Sequence, residues 1–299
     1  MFYLYLLLAL ALLVAAVFMA PLRSKVWVAF TAVATAAVAV AIPSIGVLAG
    51  AGEIELMSSI SSPLGEGSLS IDSLSAMFLL IIGLAGMATV LYSRGYLAHY
   101  LTKKSSAHIS LHYTTLAVLV LSMMLVVIAD GSFLFLFAWE LMTIASFLLI
   151  LFDAERAEVL RAALAYLVMM HIGFIFLVAG FVGIDSICGN SSFEWLSVCF
   201  AEGGNTAIFV LFLIGFGMKA GLFPMHVWLP EAHPAAPSHV SAIMSGVMIK
   251  TGVYGVMRVM SYMSVTEQIH TAGIILLAVG AVTGLWGVIL AAVQNDVKR

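Results

Sequence analysis

The chain has 299 residues, 63% of them hydrophobic and 9% charged, with 12 Lys and Arg against 15 Asp and Glu for a net charge of −3. Together with a mean hydropathy of +1.16, this excludes a water-soluble globule and makes lipid the solvent of the fold. The small net charge carries no signal for a partner, and nothing in the sequence calls for nucleic acid.

A hydrocarbon core roughly 30 Å thick takes about 20 apolar residues per crossing helix. Nine such runs are predicted, near residues 2–20, 26–50, 72–92, 112–129, 132–152, 161–184, 205–224, 238–262 and 270–293. Each is continuously apolar rather than alternating in polarity, so each reads as a helix and not as a barrel strand. The predicted fold is an all-α polytopic transmembrane helix bundle. The first run has its basic residues, Arg23 and Lys25, behind it, the reverse of a cleaved secretory signal, and is expected to be retained. The first three helices are expected to carry no buried charges and to pack around the bundle or against a neighbouring subunit.

With alternating crossings, Arg23, Lys25, Arg94, Lys103, Lys104, Arg156, Arg161, Lys298 and Arg299 fall on one side, and Arg258 near the other. Basic residues gather in short cytoplasmic loops, so the N-terminus is expected outside and the C-terminus cytoplasmic, in the inner (cytoplasmic) cell membrane. The opposite loops carry Glu53, Glu55, Glu66, Asp185, Glu194 and Glu202. Cys188 and Cys199 fall in the external loop between the sixth and seventh runs, where a disulfide can form. The sequence holds no nucleotide loop, no cysteine cluster and no zinc-type spacing, so redox chemistry, cofactors and metals are not expected on this chain.

Four ionisable residues interrupt the apolar runs: Glu140 in the fifth, His171 in the sixth, Lys219 in the seventh and Lys250 in the eighth. A charge at the bilayer centre costs about 2.5 to 3.5 kcal/mol on insertion scales, so each requires pairing, water or function. One acid and two lysines at a common depth suggest an ion pair, Glu140 with Lys219 or Lys250, in which movement of the carboxylate loads or unloads a proton on the lysine. The competing reading is a satisfied interhelical pair with no transport role; His171 equally reads as a neutral histidine bonded to a neighbouring helix.

Gly215, Gly217, Gly221 and Pro224 crowd the seventh run around Lys219, and helix continuity is expected to fail there. Broken helices at membrane depth line cavities or ion sites, although a simple proline kink with close packing is the alternative. The following segment holds Pro224, His226, Pro230, His233, Pro234, Pro237 and His239. Its prolines spread the three histidines along an extended path, so a shaped, rigid loop is expected rather than a metal site.

The stretch Gly217-Met-Lys219-Ala-Gly221-Leu-Phe-Pro224-Met-His226-Val-Trp228-Leu-Pro230-Glu231-Ala-His233-Pro234, followed by Ala236-Pro237-Ser238 and by Ser241-Ala-Ile-Met-Ser245-Gly246-Val-Met-Ile-Lys250-Thr251-Gly252-Val-Tyr254-Gly255, resembles the antiporter-like subunits of NADH-quinone oxidoreductase, of multisubunit cation/proton antiporters and of membrane-bound hydrogenases. Phe137-Ala-Trp139-Glu140-Leu-Met-Thr143-Ile-Ala-Ser146 is similar to the glutamate-bearing fifth helix of that family. The wording of the loop is most like the formate hydrogenlyase subunit 3 and hydrogenase-4 component B branch.

The resemblance implies a proton path in which Glu140 modulates Lys219 and Lys250 passes charge sideways toward the second half of the subunit; His171, His226 and His233 stand beside it as secondary proton-transfer candidates. It implies three N-terminal helices over 1–111, a five-helix proton-channel repeat with a broken seventh helix over 112–262, and the first helix of an incomplete second repeat over 263–299. The last residues, Gln294-Asn-Asp296-Val-Lys298-Arg299, are similar to a family motif that continues into further helices. A half-channel is therefore expected, from a split gene or a truncated chain, with another chain supplying the missing C-terminal helices. The further partners implied are membrane and peripheral subunits of a redox complex carrying iron-sulfur clusters and NiFe or flavin. The alternatives are a subunit of a sodium/proton antiporter and a scaffold that does not pump.

Overall fold

The computed structural model of the protein describes residues 2–62, 65–189, 193–202, 206–263, 266 and 268–294. Helices α1 (Phe2–Met19) and α2 (Lys25–Gly46), the latter extended by a π turn over Val47–Ala51, lead into a hairpin of β1 (Ile54–Ser62) and β2 (Gly65–Ile71). Then follow α3 (Ser73–Ala98), α4 (Ser106–Ile128), the two-residue β3 (Ala129–Asp130), α5 (Ser132–Ile150) with a 3-10 turn over Leu151–Asp153, α6 (Ala157–Cys188) and α7 (Phe193–Glu202). The chain closes with α8 (Thr206–Ala220), α9 (Leu229–Ala235), α10 (Ser238–Ile243), a π turn over Met244–Met248, α11 (Ile249–Met263) and α12 (Gln268–Val293).

Among the described residues, seven helical stretches are long and apolar enough to cross a membrane: Lys25–Ala51, Ser73–Ala98, Ser106–Ile128, Ser132–Asp153, Ala157–Ile187, Ser238–Met263 and Gln268–Val293. Two shorter apolar helices, Leu6–Met19 and Thr206–Ala220, fall on the first and seventh predicted runs. The protein is a multi-pass membrane helix bundle. Its middle is α4, whose apolar window is 72% buried, whereas that of α12 is 0% buried. Helix α12 leans on α8 and α11 along one narrow line.

Polar residues mark the helix ends. The Asp72 carboxylate accepts from the Ser75 backbone N–H at 2.8 Å and caps α3, and Ser105 does the same for α4 through the His108 N–H at 3.2 Å. Helix α8 stops at Gly221, whose φ of +69° is a left-handed conformation that glycine adopts without strain. The predicted seventh helix, carried to residue 224, therefore ends at Ala220, and the chain proceeds by turns into α9. Lysine 25 corrects the expectation that the first three helices hold no buried charge: it is 1% exposed, and its ammonium donates to the carbonyls of Val17 at 3.0 Å and Phe18 at 3.4 Å, closing the end of α1.

Small residues let the helices of the repeat approach closely, as packing in lipid requires. A Cβ added at Gly215 of α8 would lie 2.9 Å from the Gly173 carbonyl oxygen of α6, and one at Gly252 of α11 would lie 2.6 Å from the Phe216 carbonyl oxygen.

The segment carrying Glu53, Glu55 and Glu66, expected as a loop, is instead the antiparallel hairpin, with Ile54 opposite Ile71 and Glu55 opposite Ser70. Strand β2 also pairs with β3, Leu69 opposite Ala129, which fastens the hairpin to the end of α4. At this end of the bundle Asp72, Glu53, Glu55, Asp130 and Arg258 line a polar cavity of about 600 Å³. At the opposite end lie the basic turns. Lys104 pairs with Asp153 at 3.4 Å and Glu155 at 2.8 Å, and the Arg94 guanidinium sits 5.3 Å from the Trp27 ring centroid. Lys298 and Arg299 lie outside the described residues. Cys199 is buried and disulfide-bonded; the chain's only other cysteine is Cys188, whose side chain lies outside the described residues.

Candidate proton-transfer site

Lys219 occupies the last turn of α8, where the C-terminal end of the helix dipole favours a cation. Its side chain is 0% exposed. The ammonium donates to Thr143 Oγ1 at 3.0 Å and to the Tyr166 hydroxyl at 3.0 Å, and lies 5.7 Å and 5.5 Å from the ring centroids of Trp139 and Tyr166. Tyr166 Oη is in turn 2.6 Å from Ser146 Oγ. Two hydroxyls and two aromatic faces thus surround a buried amine, a setting that solvates the cation weakly and tolerates the neutral form.

Glu140 is not part of this cluster. Its Oε1 is 3.0 Å from His171 Nε2, and His171 Nδ1 is 2.9 Å from the Leu167 carbonyl oxygen. The Glu140–His171 approach is one of distance, since neither carboxylate oxygen has a hydrogen-bond partner of good geometry among the described residues. The expected ion pair of Glu140 with Lys219 or Lys250 is thereby corrected, and the reason is helical geometry. Trp139 and Thr143 stand one turn apart on the face of α5 toward Lys219, whereas Glu140, turned by about 100° from Trp139, points to α6. Glu140 nevertheless stays within coulombic reach of Lys219.

Lys250 is exposed, not buried among the other three groups. It follows the π turn of Met244–Met248, and its ammonium donates to the Ser245 carbonyl at 2.5 Å. His171 is also largely open, with its side chain 48% exposed. The histidines of the proline-rich segment go three ways. His226 accepts from Trp286 Nε1 of α12 at 3.2 Å and stacks on Phe223. His233 is buried, with Nδ1 3.1 Å from Ser241 Oγ and its ring stacked on Trp228. His239 joins His112 of α4. Among the described residues, no group of three His, Cys, Asp or Glu side chains is placed to hold a metal.

Trp228 links the segment to the amine: its Nε1 donates to the Met218 carbonyl at 2.9 Å, and its ring meets Tyr166 edge-on at 5.0 Å. Thr143, Ser146, Tyr166 and Trp228 were not among the expected site residues. Trp139, Thr143 and Ser146 recur at i, i+4 and i+7, a hydroxyl-bearing stripe that the apolar run of α5 does carry; Tyr166 has no such signal.

Residues 129–299 match the family model described as "NADH:quinone oxidoreductase/Mrp antiporter, TM". Hydrogenase-4 component B of Escherichia coli (strain K12) is 35% identical over 236 residues, covering 78% of this chain and 34% of the relative. The putative antiporter subunit mnhA2 of Staphylococcus saprophyticus is 30% identical over 234 residues, 76% of this chain and 28% of the relative. This chain thus spans about a third of the length of these curated relatives. The fold is shared with solved structures. A chain of the membrane-bound sulfane sulfur reductase, an archaeal respiratory membrane complex, superposes with a TM-score of 0.84 at 18% identity over 98% of this chain and 59% of its own. A chain of the Mrp complex from Dietzia sp. DQ12-45-1b gives 0.76 at 24% identity over 98% of this chain and 32% of its own. A buried lysine at the broken end of α8, a carboxylate one face away on α5 and these matches lead to one conclusion: the chain belongs to the NADH:quinone oxidoreductase/Mrp antiporter transmembrane family.

Proposed function

We propose that the chain forms a proton-translocating half-channel within a redox-driven complex of the hydrogenase or NADH/quinone oxidoreductase type. The observation that carries this reading is the Lys219 amine, buried and held by two hydroxyls rather than by a carboxylate. An ammonium fixed in a tight ion pair keeps its proton, whereas one solvated by neutral groups releases it when a nearby negative charge is withdrawn. In this reading Glu140 is that charge, acting from the neighbouring face, and Lys250, on the open flank beyond the π turn, hands charge on to the remaining helices of the subunit.

The partners in this proposal are a segment or chain supplying those helices, along with membrane and peripheral redox subunits that hold the iron-sulfur clusters and NiFe or flavin. The bare sides of α12 and the half-exposed His171 are the surfaces that such partners cover. The setting is the inner membrane, with the basic turns on the cytoplasmic side and the hairpin outside. A second reading, a subunit of a sodium/proton antiporter, is favoured by the likeness to the putative antiporter subunit mnhA2.

The test is proton accumulation in inverted vesicles containing the assembled complex. Lys219→Ala should abolish it while the complex stays intact on a native gel; undiminished accumulation in that variant would sink the half-channel reading. Drive by a redox substrate supports the first reading. Drive only by an imposed sodium gradient supports the second.

A further inference from the structure

At the basic end of the bundle, two buried histidines from helices far apart in sequence touch ring to ring. His112 of α4 is 3% exposed and His239 of α10 is 1% exposed. Their Nε2 atoms are 2.7 Å apart and the ring planes meet at 73°. That separation is a hydrogen bond, one ring N–H donating to the other ring's lone pair. It is too short for a shared metal, since two nitrogens at about 2.05 Å from a tetrahedral zinc would stand roughly 3.3 Å apart.

The surroundings lead from the surface inward. Glu155, 85% exposed, and Asp153 pair with Lys104. His108, half-buried and one turn before His112 on the same face of α4, has its Nε2 3.0 Å from the Phe152 carbonyl oxygen. The Phe152 ring meets both His108 at 5.0 Å and His112 at 4.8 Å. From α3, Tyr96 lies edge-on to His239 at 5.0 Å and stacks on Tyr100. The titratable groups facing the pair are therefore His108, Tyr113, whose ring lies 6.0 Å from that of His112, Tyr96, Tyr100 and, farther out, Asp153 with Lys104 and Glu155. Among the described residues no carboxylate pairs with either ring. His239 Nδ1 is buried with no protein hydrogen-bond partner among the described residues. Two residues along, Ser241 bonds His233, whose ring stacks on Trp228, which in turn abuts Tyr166 beside Lys219.

We propose that His112 and His239 form a two-ring relay that takes protons from the basic face into the bundle. The inference rests on the proton-translocation reading above and adds its intake. A proton from the aqueous basic face adds to Nδ1 of His112, the Nε2 proton of His112 crosses to Nε2 of His239, and the Nδ1 proton of His239 passes to a water molecule hydrogen-bonded at that otherwise unpartnered nitrogen, which becomes hydronium. One N–H bond forms on each ring and one breaks, so one proton enters and one departs. Ring reorientation restores the starting tautomers. An imidazole pair with no fixed counter-charge suits this task because neither ring traps the proton.

The relay is tested in the assembled complex, in inverted vesicles, by the initial rate of acidification between pH 6 and 8.5. Four single variants are compared, His112→Gln, His112→Asn, His239→Gln and His239→Asn, together with the double Gln variant. Amides keep a hydrogen bond and similar bulk but do not carry a proton. The expected result is a loss of about tenfold or more at pH 8 in every single variant that assembles, smaller at pH 6, with the double variant no worse than either single one. A wild-type rate in any assembled Gln variant, or failure of all four to assemble, makes the pair a structural bond and overturns the relay. Lys219→Ala, measured alongside, separates the two ideas. If it pumps normally, the half-channel reading itself has failed; if it is dead while the histidine variants pump, only the intake relay has.

Discussion

The Lys219 ammonium stands 3.0 Å from the Tyr166 hydroxyl, and that hydroxyl is shared at 2.6 Å with Ser146, so the amine is tied to α6 through one phenol and to α5 through Thr143. Removing the phenol oxygen leaves a buried cation short of one acceptor, at a cost of about 1 to 3 kcal/mol. Tyr166→Phe should therefore lower the thermal midpoint of the complex and slow acidification by about tenfold, and Thr143→Val should do the same. Because both oxygens serve one ammonium, the double variant should fall short of the sum of the two. Full additivity in a double-mutant cycle would show that the oxygens act independently of Lys219.

Glu140 and His171 form a separate pair at 3.0 Å, so their roles can be distinguished. In the proposed half-channel, Glu140→Gln takes away the carboxylate that modulates Lys219 and should abolish acidification with assembly intact. His171→Gln removes only the partner of that charge, and a histidine side chain 48% exposed contributes little packing. It should reduce the rate by less than about tenfold, in line with the modest worth of exposed pairs. Equal losses in the two variants would place His171 on the path itself.

At the other end of the bundle, Arg258 contacts both Asp72 carboxylate oxygens, one of them at 2.9 Å, and also the hydroxyls of Ser75 and Tyr254. Burial pushes the Asp72 carboxyl up, but Arg258 and the Ser75 backbone N–H outweigh it and hold it below its ordinary value of 3.8. A lowered folded-state value means that the contribution to stability is complete above the unfolded value, near pH 4, and fades as pH falls through the folded one. The carboxylate side chain is 32% exposed, so solvent screening reduces the contribution to about 1 to 2 kcal/mol. Asp72→Asn should lower the melting temperature of the detergent-solubilised complex at pH 6 to 7, and the gap from wild type should close below pH 4. A gap that widens in acid would rule out this linkage.

The apolar runs were readable because lipid demands them: each crossing needs an unbroken stretch, and the predicted positions correspond to the long helices and the two shorter ones, Leu6–Met19 and Thr206–Ala220. The hairpin of Ile54–Ile71 was not, since its Ser-rich strands alternate only weakly in polarity, and the further pairing of β2 with β3, near residue 130, is remote in sequence. Lys219 announced itself as a charge in an apolar run, but its partner depends on which way α5 faces. A rotation of one residue exchanges Glu140 for Trp139 or Leu141, and nothing local fixes it. The His112–His239 contact joins residues 127 positions apart. No spacing rule reaches that far, and the proline-rich wording around His239 drew attention to His226 and His233 instead.

The close approach of α11 to α8 gives a sharper prediction about the lysine's setting. A Cβ at Gly252 would lie 2.6 Å from the Phe216 carbonyl oxygen and 2.7 Å from the Ala220 backbone nitrogen. Both atoms belong to the last turns of α8 on either side of Lys219, and backbone cannot step aside as a side chain end can. Gly252→Ala should therefore push the helices apart, at a cost of about 1 to 3 kcal/mol. Displacing that turn moves the amine relative to Thr143 and Tyr166, so acidification should fall by more than the loss of assembled complex accounts for. The contrast is Gly95→Ala on α3, where an added methyl meets nothing within 4 Å and helix propensity slightly favours alanine. If both alanine variants assemble and pump alike, the helix contact does not set the position of Lys219. If only Gly252→Ala fails, the small residue beside the broken helix holds the amine in place.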